Sequence, residues 1–104
     1  MRADDFHAVV WPRGRRMVER RDLARRLDML AGKTIALLWD GVFRGDEIFP
    51  VLQAELTRRF PGVGFVGWDA FGSIFGGAEQ RTIGELPDQL RRFGVDAVVS
   101  AVGC

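Results

Sequence analysis

The chain has 104 residues, room for one small domain, and its 47% hydrophobic and 28% charged residues are the composition of a globular protein rather than a disordered one. No apolar run approaches the roughly 18–20 residues of a spanning helix, the start carries two acids and no signal-type apolar core, and a single cysteine cannot make an internal disulfide, which together point to the cytoplasm. A formal net charge of +1 leaves no overall footprint for nucleic acid.

Residues 1–32 differ from the rest. They hold eight Arg against five acids, and the arginines are interleaved with acids rather than clustered, which argues for a solvated arm and against a nucleic-acid surface. Within this Arg-rich arm Leu23, Leu27 and Leu30 recur at helical spacing, so a short amphipathic helix is expected from Arg21, stopped by Gly32 and packed on the domain or on a second subunit. Trp11 and His7 lie in the irregular start, where packing or surface roles are the simple reading.

Residues 33–40 read as the first strand. Thr34-Ile35-Ala36-Leu37-Leu38-Trp39 is apolar without alternation, as expected when helices cover both sheet faces. Gly32-Lys33-Thr34 resembles the tail of a phosphate-binding loop, but it enters a strand, whereas such a loop follows one. Asp40-Gly41-Val42-Phe43-Arg44-Gly45-Asp46 then places polar groups at the strand's carboxyl end, with Asp46 suited to cap the helix expected over 47–60. Ile48, Leu52 and Leu56, widened by Phe49 and Phe60, give that helix its apolar stripe. Pro50 falls in the first turn, where the missing N–H had no partner in any case, and Pro61-Gly62 ends the helix.

A second strand is expected over 63–69. Gly62-Val63-Gly64-Phe65-Val66-Gly67 has the letters of a dinucleotide fingerprint, yet its glycines lie in the strand and no helix opens after them, so no cofactor is expected. Residues 69–79 are a glycine-rich stretch with the length of a flap, in which Phe71 and Phe75 either cover a substrate or pack on neighbouring chain. Ile83, Leu86, Leu90 and Phe93 mark a second helix, kinked or restarted at Pro87, with Gly94 as its C′ residue. The apolar run in Gly94-Val95-Asp96-Ala97-Val98-Val99-Ser100-Ala101-Val102-Gly103-Cys104 reads as a third, central strand.

Strand–helix–strand–helix–strand with right-handed crossovers implies a parallel α/β sheet, a three-layer Rossmann-like or flavodoxin-like βαβαβ unit over 33–104 that is incomplete, preceded by the partly helical arm of 1–32. In the flavodoxin-like order the second and third strands flank the first, and a crevice opens at the carboxyl ends. Asp40, Gly41, Arg44, Asp69 and Gly103 are then the candidate substrate-binding residues, and Cys104 the candidate catalytic thiol. Cys104 is poorly activated, because an adjacent terminal carboxylate opposes thiolate formation unless Arg44 offsets it. One Cys, one distant His and scattered carboxylates give no metal-ligand spacing.

Several blocks in order carry a family resemblance. Gly32-Lys33-Thr34-Ile35-Ala36-Leu37-Leu38-Trp39-Asp40, Phe43-Arg44-Gly45-Asp46-Glu47-Ile48-Phe49-Pro50, Arg59-Phe60-Pro61-Gly62-Val63, Asp69-Ala70-Phe71-Gly72 and Gly94-Val95-Asp96-Ala97-Val98-Val99 resemble the UGSC family over residues 27–104. That family is named for a selenocysteine-Gly-Ser-Cys motif, with cysteine replacing selenocysteine in many members. The resemblance implies a thiol or selenol redox site directly after the third strand, with Cys104 at the position before the motif. Selenocysteine is encoded by UGA, ordinarily a stop codon, and a reading frame closed there ends at Cys104; a different fragment boundary, or a short protein in its own right, would end at the same residue. Alternatively the chain is a non-catalytic binding or oligomerising α/β subunit whose open sheet edge is completed by a partner chain or a second copy. Neither reading names the small-molecule substrate, and neither expects a membrane or nucleic-acid partner.

Overall fold

The computed structural model describes residues 7–15, 17–72 and 76–103. Five elements follow one another: β1 (Thr34–Trp39), α1 (Gly45–Arg59), β2 (Gly64–Val66), α2 (Glu79–Arg92) and β3 (Ala97–Ala101), with a single 3₁₀ turn at Trp68–Ala70 between β2 and α2. The three strands form one parallel sheet in the order β2-β1-β3. The first and third strands are therefore neighbours.

β1 is the axis of the molecule, and its unalternated sequence has a direct cause. Ile35 and Leu37 face α1, where they form a core cluster with Phe49 and Val63, backed by Leu52 and Leu56. Ala36 and Leu38 face the other way, into a cluster with Phe71 that Leu86 and Leu90 of α2 cover. A helix lies on each face of β1, so every residue from Ile35 to Leu38 is buried.

Local chemistry sets the joints. Phe60-Pro61-Gly62-Val63 closes as a turn in which the Val63 N–H donates to the Phe60 carbonyl at 3.2 Å, and Gly62 takes the φ of +91° that its third position needs. Leu30-Ala31-Gly32-Lys33 does the same ahead of β1 with Gly32 at φ +75°, and the Gly32 N–H donates to the Gly62 carbonyl at 3.1 Å. These two turns tie the entries of β1 and β2 together. At the end of α2 the Val95 N–H reaches the Leu90 carbonyl and the Gly94 N–H the Arg91 carbonyl, with Gly94 at φ +64°: a Schellman cap, whose usual hydrophobic contact is supplied by Val95 and Leu90 in the same cluster. Asp96 then fixes the start of β3 against β1, its N–H donating to the Thr34 carbonyl at 2.8 Å and its carboxylate accepting from the Thr34 N–H at 2.9 Å.

Several expectations need correction. The described residues of the arm contain no helix. Leu23 is 90% exposed, and only Leu27 and Leu30 are half-buried; a segment this short is marginal without a packed apolar face, and Arg21 and Arg25 would repel at i, i+4. The N-cap of α1 is Arg44, not Asp46, because the helix begins one residue earlier than Asp46, at Gly45, and Asp46 and Glu47 favour its first turn as acids. Its buried stripe is Phe49, Leu52 and Leu56, while Ile48 and Phe60 stay exposed. Strand β2 is only three residues long, since the chain winds into the 3₁₀ turn after Gly67. α2 runs unbroken through Pro87.

β3 departs from its apolar sequence in a different way. Its residues alternate between half-buried and exposed. Ala97, Val99 and Ala101 pack toward α1, whereas Val98, in register with Ala36, is 42% exposed on the α2 side.

Candidate functional site

Both β1 and β2 run out into the same dipeptide, Trp-Asp: Trp39-Asp40 after one and Trp68-Asp69 after the other. Because the strands are parallel neighbours, the two tryptophans meet at the carboxyl edge of the sheet. Their ring centroids are 4.9 Å apart and the planes stand at 75°, an edge-to-face pair that forms a corner rather than a stack. A cavity of about 330 Å³ opens there, lined by Trp39, Gly41, Trp68, Asp69 and Gly72. That volume is at the lower end of the range for small-molecule sites.

Trp39 is held from three sides. Its Nε1–H donates to the Val42 carbonyl at 2.9 Å, the Trp68 ring meets it edge to face, and the first residue of α1 is tucked against it. That residue is Gly45, which is buried, and a methyl group there would overlap the indole. The loop from β1 to α1 is shaped to allow this. The Asp40 carboxylate accepts from the Val42 N–H at 3.1 Å, closing an Asx turn, and Gly41 and Phe43 take positive φ of +79° and +62°. A left-handed Phe is uncommon and costly, and this one is 64% exposed.

The structure separates the residues expected to form one site. Gly41 and Asp69 line the cavity. Asp40 sits at the same edge, where its N–H donates to the Ala101 carbonyl of β3 at 3.2 Å and its carboxylate is engaged in the turn. Arg44 does not line it; it pairs with Glu47 at 3.8 Å and lies over an exposed groove on α1 with Ile48 and Val51. Gly103 is exposed beyond the end of β3. Cys104 lies outside the described residues, and so does Phe75 of the glycine-rich stretch; Phe71 is buried in the core rather than poised over the cavity. Trp39, Trp68 and Gly72 also line the cavity, and motif and spacing do not single them out. The repeated Trp-Asp at two strand ends is the sequence signal that finds the tryptophans.

Electrostatically the edge is simple. Asp69 is exposed, makes no ion pair among the described residues, and folds back so that its Oδ1 lies over Gly67. The described residues contain no group of three or more metal-type side chains, and no helix among them is long and apolar enough to cross a membrane.

A parallel α/β sheet with a helix on each face of its central strand and an aromatic cavity at the strands' carboxyl edge defines the class of protein. Within that class, the model of the UGSC family matches residues 8–104, nearly the whole chain and much of the arm besides, and the chain belongs to that family. Comparison with curated proteins and with solved structures finds no match.

Proposed function

We propose that this chain is the N-terminal part of a thiol or selenol redox protein, in which the selenocysteine-Gly-Ser-Cys motif for which the family is named follows Cys104, and that its sheet opens a three-layer, flavodoxin-like doubly wound domain. The observation that carries this reading is the strand order. With β3 beside β1, and the Asp40 N–H bonded to Ala101, β3 ends at the edge that holds the tryptophan cavity, where ligands of open α/β sheets bind. The spacing of the motif is that of Cys-x-x-Cys. A selenol and a thiol so placed can close into one selenium–sulfur bond, giving up two electrons and two protons to an acceptor.

The test starts from the nucleotide sequence. UGA followed in frame by Gly-Ser-Cys codons is expected after the Cys104 codon, and any other continuation refutes the reading. Given that continuation, the protein made with selenocysteine or cysteine at that codon should show one selenol or thiol titrating ahead of Cys104 with an alkylating reagent. Reversible loss of two hydrogen masses on mild oxidation should follow.

A second reading has its own support. Val98 leaves one face of β3 open, and Val9, Val10, Trp11, Met17 and Val18 of the arm are exposed as well. A second copy of the chain would cover both. Light scattering should then give twice the chain mass, and a well-behaved monomer removes this reading.

A further inference from the structure

The geometry points to a binding site for a small organic cation, an alkylammonium group, in the cavity between Trp39 and Trp68 with the Asp69 carboxylate at its mouth. This gives a chemical class to the unnamed substrate or effector of the protein, and it rests on the reading above only in taking the carboxyl edge of the sheet as the working edge.

The lining residues decide between ligand classes. An anion would meet carboxylates here: Asp69 lines the cavity, Asp40 stands next to the lining residue Gly41, and Arg44 is not among the described lining residues and lies over the α1 groove near Glu47. A plain hydrocarbon would fit the walls but would gain nothing from the exposed Asp69 carboxylate beside them. A cation with apolar substituents satisfies both. Its alkyl groups contact the rings, its charge is attracted to the negative faces of the indoles, and Asp69 neutralises it at the opening. Asp40, next to the lining residue Gly41, adds a second carboxylate to this edge. The two rings stand at 75°, and the other described lining residues besides Asp69 are Gly41 and Gly72, which add no side-chain bulk.

The probe is choline, set against its uncharged isostere in which carbon replaces the quaternary nitrogen. The full chain is titrated with each by calorimetry, and the N-methyl protons of choline are followed by NMR. Choline should bind about tenfold more tightly than the isostere, the preference that cation–π attraction and one carboxylate supply, and its N-methyl resonance should move upfield under the indole ring currents. Asp69→Asn should weaken choline about three- to tenfold and leave the isostere unchanged. Trp68→Leu, at a position already 38% exposed, should reduce the upfield shift and weaken choline while the circular dichroism of the fold is retained. Equal binding of choline and isostere, no binding of choline, or indifference to Asp69→Asn overturns the inference. None of these measurements involves a redox step, so their failure is distinct from failure of the redox reading.

Discussion

Gly45→Ala sets a general rule against a specific contact. In a helix, replacing Gly by Ala ordinarily stabilises by up to about 1 kcal/mol. Here the added methyl would overlap the Trp39 indole, and that ring cannot swing aside freely, because Trp68 meets it at 4.9 Å and its N–H is bonded to Val42. Forcing a methyl against a ring that holds its place costs about 1–3 kcal/mol, and a ring that moved away instead would lose its indole hydrogen bond, about 0.5–1.5 kcal/mol, together with its packing on Trp68. The propensity gain is small at the first residue of α1, so the expected net loss is about 1–3 kcal/mol. For a domain of this size that lowers Tm by roughly 5–20 °C. Urea unfolding with an unchanged m-value reads the loss directly, and the near-ultraviolet dichroism of the tryptophan pair should weaken with it. Repeating the substitution on Trp39→Phe, whose smaller ring leaves room for the methyl, should recover most of the cost as a coupling energy. A Gly45→Ala protein at least as stable as the parent, or one equally destabilised in both backgrounds, would refute the claim that Gly45 exists to seat Trp39.

Phe49→Ala should be the most damaging single truncation, since Phe49 is 2% exposed at the centre of the α1 cluster; a loss of about 3–5 kcal/mol is expected and should leave the protein largely unfolded at room temperature by circular dichroism. Pro87→Ala should stabilise by about 1–3 kcal/mol by restoring a hydrogen bond inside an unbroken helix, and a lower urea midpoint would count against an intact α2. Gly94→Ala should cost about 1–2 kcal/mol through its left-handed φ, with Gly94→Asn less harmful; equal effects of the two would show that the cap is not what matters there. Asp96→Ala should cost about 0.5–1.5 kcal/mol by removing the acceptor for the Thr34 N–H, and Asp96→Asn should restore most of it.

The elements that were legible in the sequence are those whose burial follows from local pattern. Ile35 to Leu38 lack alternation because both faces are covered, and Pro61-Gly62 and Gly94 end their helices as turn chemistry requires. The misread elements depend on what lies opposite. Leu23, Leu27 and Leu30 have helical spacing but no surface that takes all three, and spacing alone does not reveal a missing partner. Val98 is as apolar as Val99, yet only Val99 has a helix over it. The site was half legible. Gly41 and Asp69, expected because loop residues at strand ends are where such sites form, line the cavity, while Arg44, drawn in by its charge, lies over α1 near Glu47. Nothing in the sequence marks the left-handed Phe43, because that conformation is imposed by seating α1 under Trp39.

The open face of β3 and the tryptophan cavity are consequences of one topology. The chain crosses from β1 to β2 on the α1 side and returns past β1 to β3 on the α2 side, as two right-handed crossovers in opposite directions must. On the α1 side Ala97, Val99 and Ala101 join the cluster of Ile35, Leu37, Phe49 and Val63, whereas the α2-side cluster takes Ala36, Leu38 and Val66 of β1 and β2 and no residue of β3. Val98 stays 42% exposed on that side, beside a cavity it shares with Leu23 and Leu27 of the arm. A right-handed crossover leaving β3 in the same direction would lay its helix on the α2 side, over Val98. The first residues of such a crossover would pass the end of β1 at Asp40, beside the cavity that Trp39 and Trp68 enclose. One segment would thus close the sheet's open face and pass the edge where the chain runs from β1 and from β2 into Trp-Asp. Such a crossover would also account for a valine 42% exposed in a strand that reads as central.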